Sequence, residues 1–174
     1  TGSLAQSVAA DLARAGSPLS AEVLAAHAAS LRAPLSVGVS GATLYNMAPP
    51  TQGVASLLIL AVFDRLKAEA PESFAYWHGL VEATKQAFRY RDTHVGDPVY
   101  MTVEAQQTLN DSAALDQMAA AIDPRKAAPW PYPSQAGDTV WMGAIDADGV
   151  AVSMIQSTYF EFGSGVVLPQ TGIV

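Results

Sequence analysis

The chain contains no cysteine. Disulfides, zinc–thiolate centres and a cysteine nucleophile are thereby excluded, while the compartment is left open. Charge is scarce as well. Asp, Glu, Lys and Arg make up 14% of the 174 residues, hydrophobic residues make up 50%, and the formal net charge is -7. The nine Lys and Arg residues gather in no stripe, which argues against nucleic acid as a partner. The apolar run 54–63 is too short to span a bilayer and reads as a buried helix. His27, His78 and His94 lack metal-ligand spacing, and His78, on an apolar-striped helix, reads as a structural histidine. A phosphate loop and an internal repeat are both missing. A chain of this length can build one core, and its low charge implies surface that is to be covered. The first residue is not Met, and the last stretch, 166–174, is an apolar turn without a polar tail. The expectation is a fragment of a longer protein.

What is present begins with helices. Leu4, Val8, Ala9, Leu12 and Ala15 repeat at helical spacing over 3–15, and Gly16-Ser17-Pro18 stops the pattern. Ser20 caps a second helix over 21–29, with Glu22 in its first turn. Two strands, 35–39 and 42–47, flank Ser40-Gly41. Thr51 caps a long apolar helix over 51–69, and Pro71 opens another over 71–93. On the latter, Phe74, Trp77, Leu80, Val81, Thr84, Ala87 and Phe88 form one stripe. The two helices are predicted to pair and bury Leu57, Leu58, Leu60, Trp77, Leu80 and Phe88. Short helices over 102–108 and 112–121 follow. Residues 123–137 hold four prolines, Pro124, Pro129, Pro131 and Pro133, and read as an extended linker.

The stretch 135–165 organises the remainder. Thr139–Ile145 and 150–157 are nearly continuous apolar runs, which predicts strands covered on both faces. Between them, Asp146-Ala147-Asp148-Gly149 is the kind of tip that closes a β-hairpin. Turn chemistry accounts for both aspartates. The second run leads into Phe162-Gly163-Ser164-Gly165, whose glycines allow a tight backbone turn. Glu161 lies close in sequence, but nothing assigns it a role. Thr139 heads the first strand after Gly137-Asp138. Alone it reads as an ordinary strand residue, since β-branched residues are common there.

The whole pattern resembles the γ-glutamyltransferase family, a branch of the N-terminal-nucleophile (Ntn) hydrolases. There a Thr opens a strand, followed by an Asp-x-x-Gly hairpin and Phe-Gly-Ser/Thr-Gly. Upstream, Gly2-Ser3-Leu4-Ala5, Gly16-Ser17-Pro18-Leu19-Ser20-Ala21-Glu22 and Tyr45-Asn46-Met47-Ala48-Pro49-Pro50 are similar to family segments. So are Glu82-Ala83-Thr84-Lys85-Gln86-Ala87-Phe88, Tyr90-Arg91 and Gly96-Asp97-Pro98. The resemblance covers nearly the whole chain. It implies an α+β piece of a four-layer αββα sandwich, with a helical first half followed by a β-hairpin. Residues 1–138 would be the C-terminal part of the large-subunit region and 139–174 the start of the small one, together one structural unit.

The resemblance also implies chemistry. A Thr hydroxyl is a weak nucleophile until a base takes its proton. An N-terminal Thr carries its own base, an α-amine with a reference pKa of about 7.7–8.0. That requires autocatalytic cleavage between Asp138 and Thr139 of a zymogen. The Thr139 hydroxyl attacks the Asp138 carbonyl, an N-to-O acyl shift follows, and ester hydrolysis frees the amine. Ser157 matches the family hydroxyl that supports the nucleophile. Tyr159 stands at the substrate-binding position where the family has Asn, and Val140-Trp141 stand where it has Thr-His. These replacements resemble acylase-type members, including cephalosporin-acylase-like proteins. Implied substrates are small-molecule amides: γ-glutamyl compounds such as glutathione, or related acyl amides. The resemblance calls for no cofactor and no metal. Implied partners are the remaining parts of the parent subunits, a homo-oligomer among them. A periplasmic or secreted setting fits the family, and a cytoplasmic one stays open. The family's carboxylate-binding Arg and Gly-Gly oxyanion hole do not occur in this chain. From another class comes the alternative of a catalytically silent, unprocessed fragment serving only as a structural or interaction piece.

Overall fold

A computed structural model of the chain describes residues 2–68, 70–130, 139–157 and 162–174. The chain divides into two compact units, Leu31–Tyr132 and a second built from Thr1–Ser30 with Pro133–Val174. Helices and one hairpin precede a second hairpin, the α+β order expected.

The unit Leu31–Tyr132 is built around one helix. Strands β1 (Leu35–Val39) and β2 (Ala42–Asn46) form an antiparallel hairpin. Its turn, Ser40-Gly41, has positive φ at both residues, the combination a two-residue hairpin loop demands. Helix α3 (Gly53–Arg65) follows. Val54, Ala55, Leu57, Leu58, Ala61 and Val62 of α3 are all buried, because the hairpin and three further helices pack around it. These are α4 (Phe74–His94), α5 (Ala105–Asn110) and α6 (Ser112–Ala120). The unbroken apolar run is thus explained by burial on several sides. Among the described residues no helix is long and apolar enough to cross a membrane.

Polar contacts tie the pieces to α3 and to one another. Ser40 donates its hydroxyl to Asp64, and this bond is the chief reason that the Asp64 carboxyl titrates below its ordinary range. Arg65 pairs with Asp116 of α6 at 2.6 Å. The Gln106 side chain accepts from the Ser36 N–H and donates to the Ser36 carbonyl, both at 2.9 Å, so α5 pairs with β1 through a side-chain amide. Tyr90 reaches the Thr108 hydroxyl at 3.0 Å.

Helix α4 corrects the expected stripe. Its buried face is Gly79, Glu82, Ala83, Ala87 and Tyr90. Phe74 is 73% exposed, Trp77 53% and Val81 53%, while Leu80 and Phe88 are half-buried. On α3, Leu57 and Leu58 are buried as expected, but Leu60 is 41% exposed. The physical reason is distance. Gly79, Ala83 and Ala87 let the α4 backbone approach α3 closely, which a face of Trp and Phe would prevent. Phe63 and Tyr76 still meet edge to face at 5.0 Å.

The N-termini of the helices shift for similar local reasons. Helix α4 starts at Phe74 and not at Pro71, because Ser73 caps it by accepting from the Tyr76 N–H at 3.2 Å. Thr51 lies two residues ahead of α3, accepts from the Gly53 N–H at 3.3 Å and donates to the Met47 and Ala48 carbonyls. Residues 123–130 run along α4, on a row of side chains spaced one helical turn apart. His78 Nε2 meets the Asp123 carbonyl at 2.8 Å, so this histidine is structural, as expected. Lys85 and Glu82 hold Ala128, Arg89 reaches the Pro129 carbonyl at 3.5 Å, and Phe88 meets Trp130 with ring centroids 6.3 Å apart.

The second unit contains α1 (Ser3–Arg14), α2 (Ala21–Ala26) and a hairpin of β3 (Thr139–Ile145) and β4 (Ala151–Ser157). Asp11 of α1 is 1% exposed. It pairs with Arg14 and accepts from the Gln170 N–H at 2.9 Å. This pins the turn 168–173 to α1, and Leu168 is buried beside it. The hairpin differs from expectation. Every residue of both strands is exposed, so neither face is covered by the described residues.

Exposure now orders the stability effects. In the 174-residue chain, Leu58→Ala should cost about 2–5 kcal/mol. Trp77→Ala should cost about 0.5 kcal/mol or less. Urea unfolding of both variants checks this, and a larger loss for Trp77→Ala would contradict the packing described for α4.

Candidate active site

The hairpin turn sets the site. The Asp146 N–H donates to the Val150 carbonyl at 3.1 Å, and the Gly149 N–H to the Asp146 carbonyl at 3.1 Å. Gly149 has φ 83, the left-handed conformation that a bulged hairpin loop assigns to Gly. The Asp146 carboxylate accepts from the Asp148 N–H at 3.0 Å and the Val150 N–H at 2.9 Å. Both aspartate positions are therefore explained by the turn, as the sequence indicates.

With the turn fixed, the register follows. Ile145 pairs with Ala151, and at the far end Thr139 pairs with Ser157. Directly opposed residues project to the same face. Thr139 Oγ1 and Ser157 Oγ lie 2.9 Å apart, a normal hydroxyl–hydroxyl hydrogen bond in which either can donate. The two candidate residues, 18 positions apart, are thus brought together, and both are exposed.

Two positions on, the same face carries Trp141. Its Nε1–H donates to the Ser153 hydroxyl at 2.9 Å. Its ring lies over Gly143, where a Cβ would come within 2.6 Å of the indole. The indole therefore leans along the strand, away from Thr139, onto the Gly143–Ser153 pair. Sequence reasoning did not single out Ser153. Its signal was available in the register, since the turn places it opposite Gly143.

Asp138 and Tyr159, the expected cleavage and substrate-contacting residues, lie outside the described residues, as does Glu161. Gly163 and Gly165 have φ 67 and 66, and the Gly165 N–H donates to the Phe162 carbonyl at 3.3 Å. They form backbone turns, as the sequence reading has it. Among the described residues no group of three or more His, Cys, Asp or Glu is placed to hold a metal. A hollow of about 910 Å³ in the other unit is lined in part by Arg65, Lys67, His78 and Asp116. Arg65 is committed there to Asp116, Ala61 and Ser112. Ser73 and His78, which also line it, are bonded to the Tyr76 N–H and the Asp123 carbonyl.

Known proteins match this chain over its length. The profile of the gamma-glutamyltranspeptidase family matches residues 1–174. The chain is 49% identical over 173 residues to the oxamate amidohydrolase proenzyme of Klebsiella pneumoniae, a match covering 99% of this chain and 33% of that protein. It is 37% identical to the glutathione hydrolase-like YwrD proenzyme of Bacillus subtilis, again over 99% of this chain and 33% of the relative. Among solved structures, it is similar to cephalosporin acylase from Bacillus halodurans, with a TM-score of 0.78 and 32% identity over 98% of this chain and 31% of that one. The chain belongs to the gamma-glutamyltranspeptidase family. It spans about a third of the length of the curated relatives it matches.

Gly143→Ala should drive the indole of Trp141 off the strand and break its bond to Ser153. The expected readout is loss of the hydrogen-bonded indole N–H resonance and a shift of the Trp141 emission to that of a free surface indole. An unchanged indole N–H would show that the ring does not rest on Gly143.

Proposed function

We propose that this chain forms part of an amide-cleaving acyltransferase or hydrolase of the gamma-glutamyltranspeptidase family that works through an acyl-enzyme on Thr139. One observation carries the reading: the hydroxyl contact of 2.9 Å between Thr139 and Ser157. It puts the two family-matched residues on one face at one end of a register-locked hairpin. In the parent protein, cleavage between Asp138 and Thr139 gives Thr139 a free α-amine. The amine takes the Thr139 hydroxyl proton as the oxygen attacks the substrate carbonyl. The amide nitrogen leaves with that proton, and water or another amine then releases the acyl group from the ester. Ser157 holds the Thr139 side chain in one rotamer through the same hydroxyl contact. On this reading residues 1–138 belong to the large subunit and 139–174 to the small one. The parent is a four-layer sandwich, and its remaining parts supply the oxyanion donors and the cover for the hairpin.

For the substrate, Tyr159 in place of the family Asn argues against an amino-acid head group. The relative at 49% identity is named for oxamate, a short, planar amide. A simple acyl amide of that kind is the substrate class we favour over γ-glutamyl compounds such as glutathione. A second reading applies to the isolated chain. The α-nitrogen of Thr139 is a peptide nitrogen in the continuous sequence, so it cannot act as a base. Removing one preorganised oxyanion donor costs on the order of 10²–10³ in rate. The 174-residue piece alone should therefore neither mature nor hydrolyse amides.

Mass spectrometry of the full-length precursor should reveal a species beginning at Thr139 that disappears in Thr139→Ala and forms at least about tenfold more slowly in Ser157→Ala. The 174-residue piece held at neutral pH should keep its uncut mass. A cut at another bond, or one that survives Thr139→Ala, would remove the nucleophile assignment. Side-by-side assays of the matured protein on oxamate, a glutaryl amide and a γ-glutamyl anilide should favour one of the first two. Efficient γ-glutamyl transfer to a dipeptide would show the reading of Tyr159 to be wrong.

A further inference from the structure

We propose that Glu82 and Lys85 are positioning residues for maturation: together they clamp the segment leading to Thr139 and so orient the bond to be cut. This inference rests on the cleavage before Thr139 proposed above.

Glu82 is 1% exposed. One of its carboxylate oxygens accepts from Lys85 Nζ at 2.6 Å, and the other accepts from the Ala128 N–H at 3.2 Å. Lys85 Nζ donates in turn to the Ala128 carbonyl at 2.7 Å. A single residue of the leader is thus held through both of its backbone polar groups by one ion pair. Burying a carboxylate is expensive unless its bonds are made. Here they are made to Lys85 and to the backbone of Ala128. Pro124, Pro129, Pro131 and Pro133 have no N–H, and Ala128 offers one where the clamp needs it.

Ala128 lies eleven residues before Thr139. Over the first half of that interval Pro129, Pro131 and Pro133 restrict alternate φ angles, and Ser134-Gln135-Ala136-Gly137-Asp138 follow without proline. A proline-rich stretch is stiffer than a glycine-rich one, so an anchor at Ala128 leaves only the short remainder before Thr139 free to vary. Cleavage demands that the Asp138 carbonyl meet the Thr139 hydroxyl in a near-attack geometry. A misplacement of about 1 Å can cost a reaction of this type roughly 10²-fold. A leader anchored at one end samples fewer orientations than a free one. Loosening the clamp should therefore slow cleavage while leaving the chemistry of molecules already cut unchanged.

The test uses the full-length precursor, followed by mass spectrometry from the end of synthesis. Glu82→Gln keeps the shape and removes the charge, Lys85→Met removes the ammonium, and Ala128→Pro removes the leader's N–H in a segment already rich in proline, fixing φ at that position as well. Each should form the species beginning at Thr139 at least about tenfold more slowly than the wild type. Lys85→Arg, which keeps a cation, should recover most of the rate. Activity per cleaved molecule should stay within about twofold of wild type in all of them. Should Glu82→Gln fail to fold, as judged by circular dichroism, Ala128→Pro decides, because it leaves the buried pair intact. Cleavage at the wild-type rate in a folded variant overturns the clamp and leaves the Thr139 assignment standing. Loss of activity per cleaved molecule in step with the cleavage rate also overturns it, by showing a general structural role. A wild-type precursor that is not cut before Thr139 overturns both.

Discussion

The arrangement of the candidate site depends on one constraint, the register of the β3–β4 hairpin. A strand slipped by one residue turns every side chain to the opposite face. Ser157 would then no longer face Thr139. The register is set at the other end of the hairpin, where Asp146 accepts two backbone N–H groups and Gly149 takes a positive φ. Seven antiparallel pairs carry that choice to the Thr139–Ser157 rung. The turn residues therefore set the Thr139–Ser157 rung without standing near it. This is also why an Asp-x-x-Gly tip and a distant Thr make sense as parts of one motif.

How far the sequence could be read follows from the same distinction between local and nonlocal causes. Turn chemistry is local, so the hairpin and its tip were legible, whereas a link between Thr139 and Ser157 was implied only by the family resemblance. Also legible were β1 and β2 around Ser40-Gly41, and the buried α3. The burial of α4 was not. Its sequence carries two apolar rows, one of Phe74, Trp77 and Val81 and one of Gly79, Ala83 and Ala87. Periodicity finds both rows and hydrophobicity favours the larger one. What decides is how closely two backbones approach, and the small residues win that comparison against α3. Glu82 lies on the buried row for another nonlocal reason, a partner 46 positions away. No periodicity analysis contains that partner.

The exposed hairpin fits the composition. Val140, Trp141, Met142, Ile145, Val152, Met154 and Ile155 are all exposed, and a two-stranded hairpin with such faces is marginal by itself in water. Strands with nearly continuous apolar content belong in sheets covered on both sides. The expectation of two covered faces thus describes a demand of the residues that the described part of this chain does not meet. The relatives are about three times as long as this chain, and on the proposed reading further layers of the parent meet that demand.

The residues around Thr139 separate two requirements that a shared motif tends to merge. On the proposed reading the nucleophile needs the hydroxyl of residue 157 opposite it, and Ser157 stands there. Positions 140 and 141 depart from the family pattern within an unbroken register. Trp141 shows how a large side chain is admitted there: Gly143 makes room for the ring and Ser153 binds its nitrogen, so the bulk is carried along the strand and away from the nucleophile's rung. On the reading proposed above, discrimination between acyl groups falls to Tyr159, a phenol where the family has an amide side chain. A phenol can stack on or hydrogen-bond a short planar acyl group, but it lacks the paired donor and acceptor of an Asn that would hold an amino-acid head. On that reading chemistry and specificity rest on different residues, and the second can change while the first is preserved.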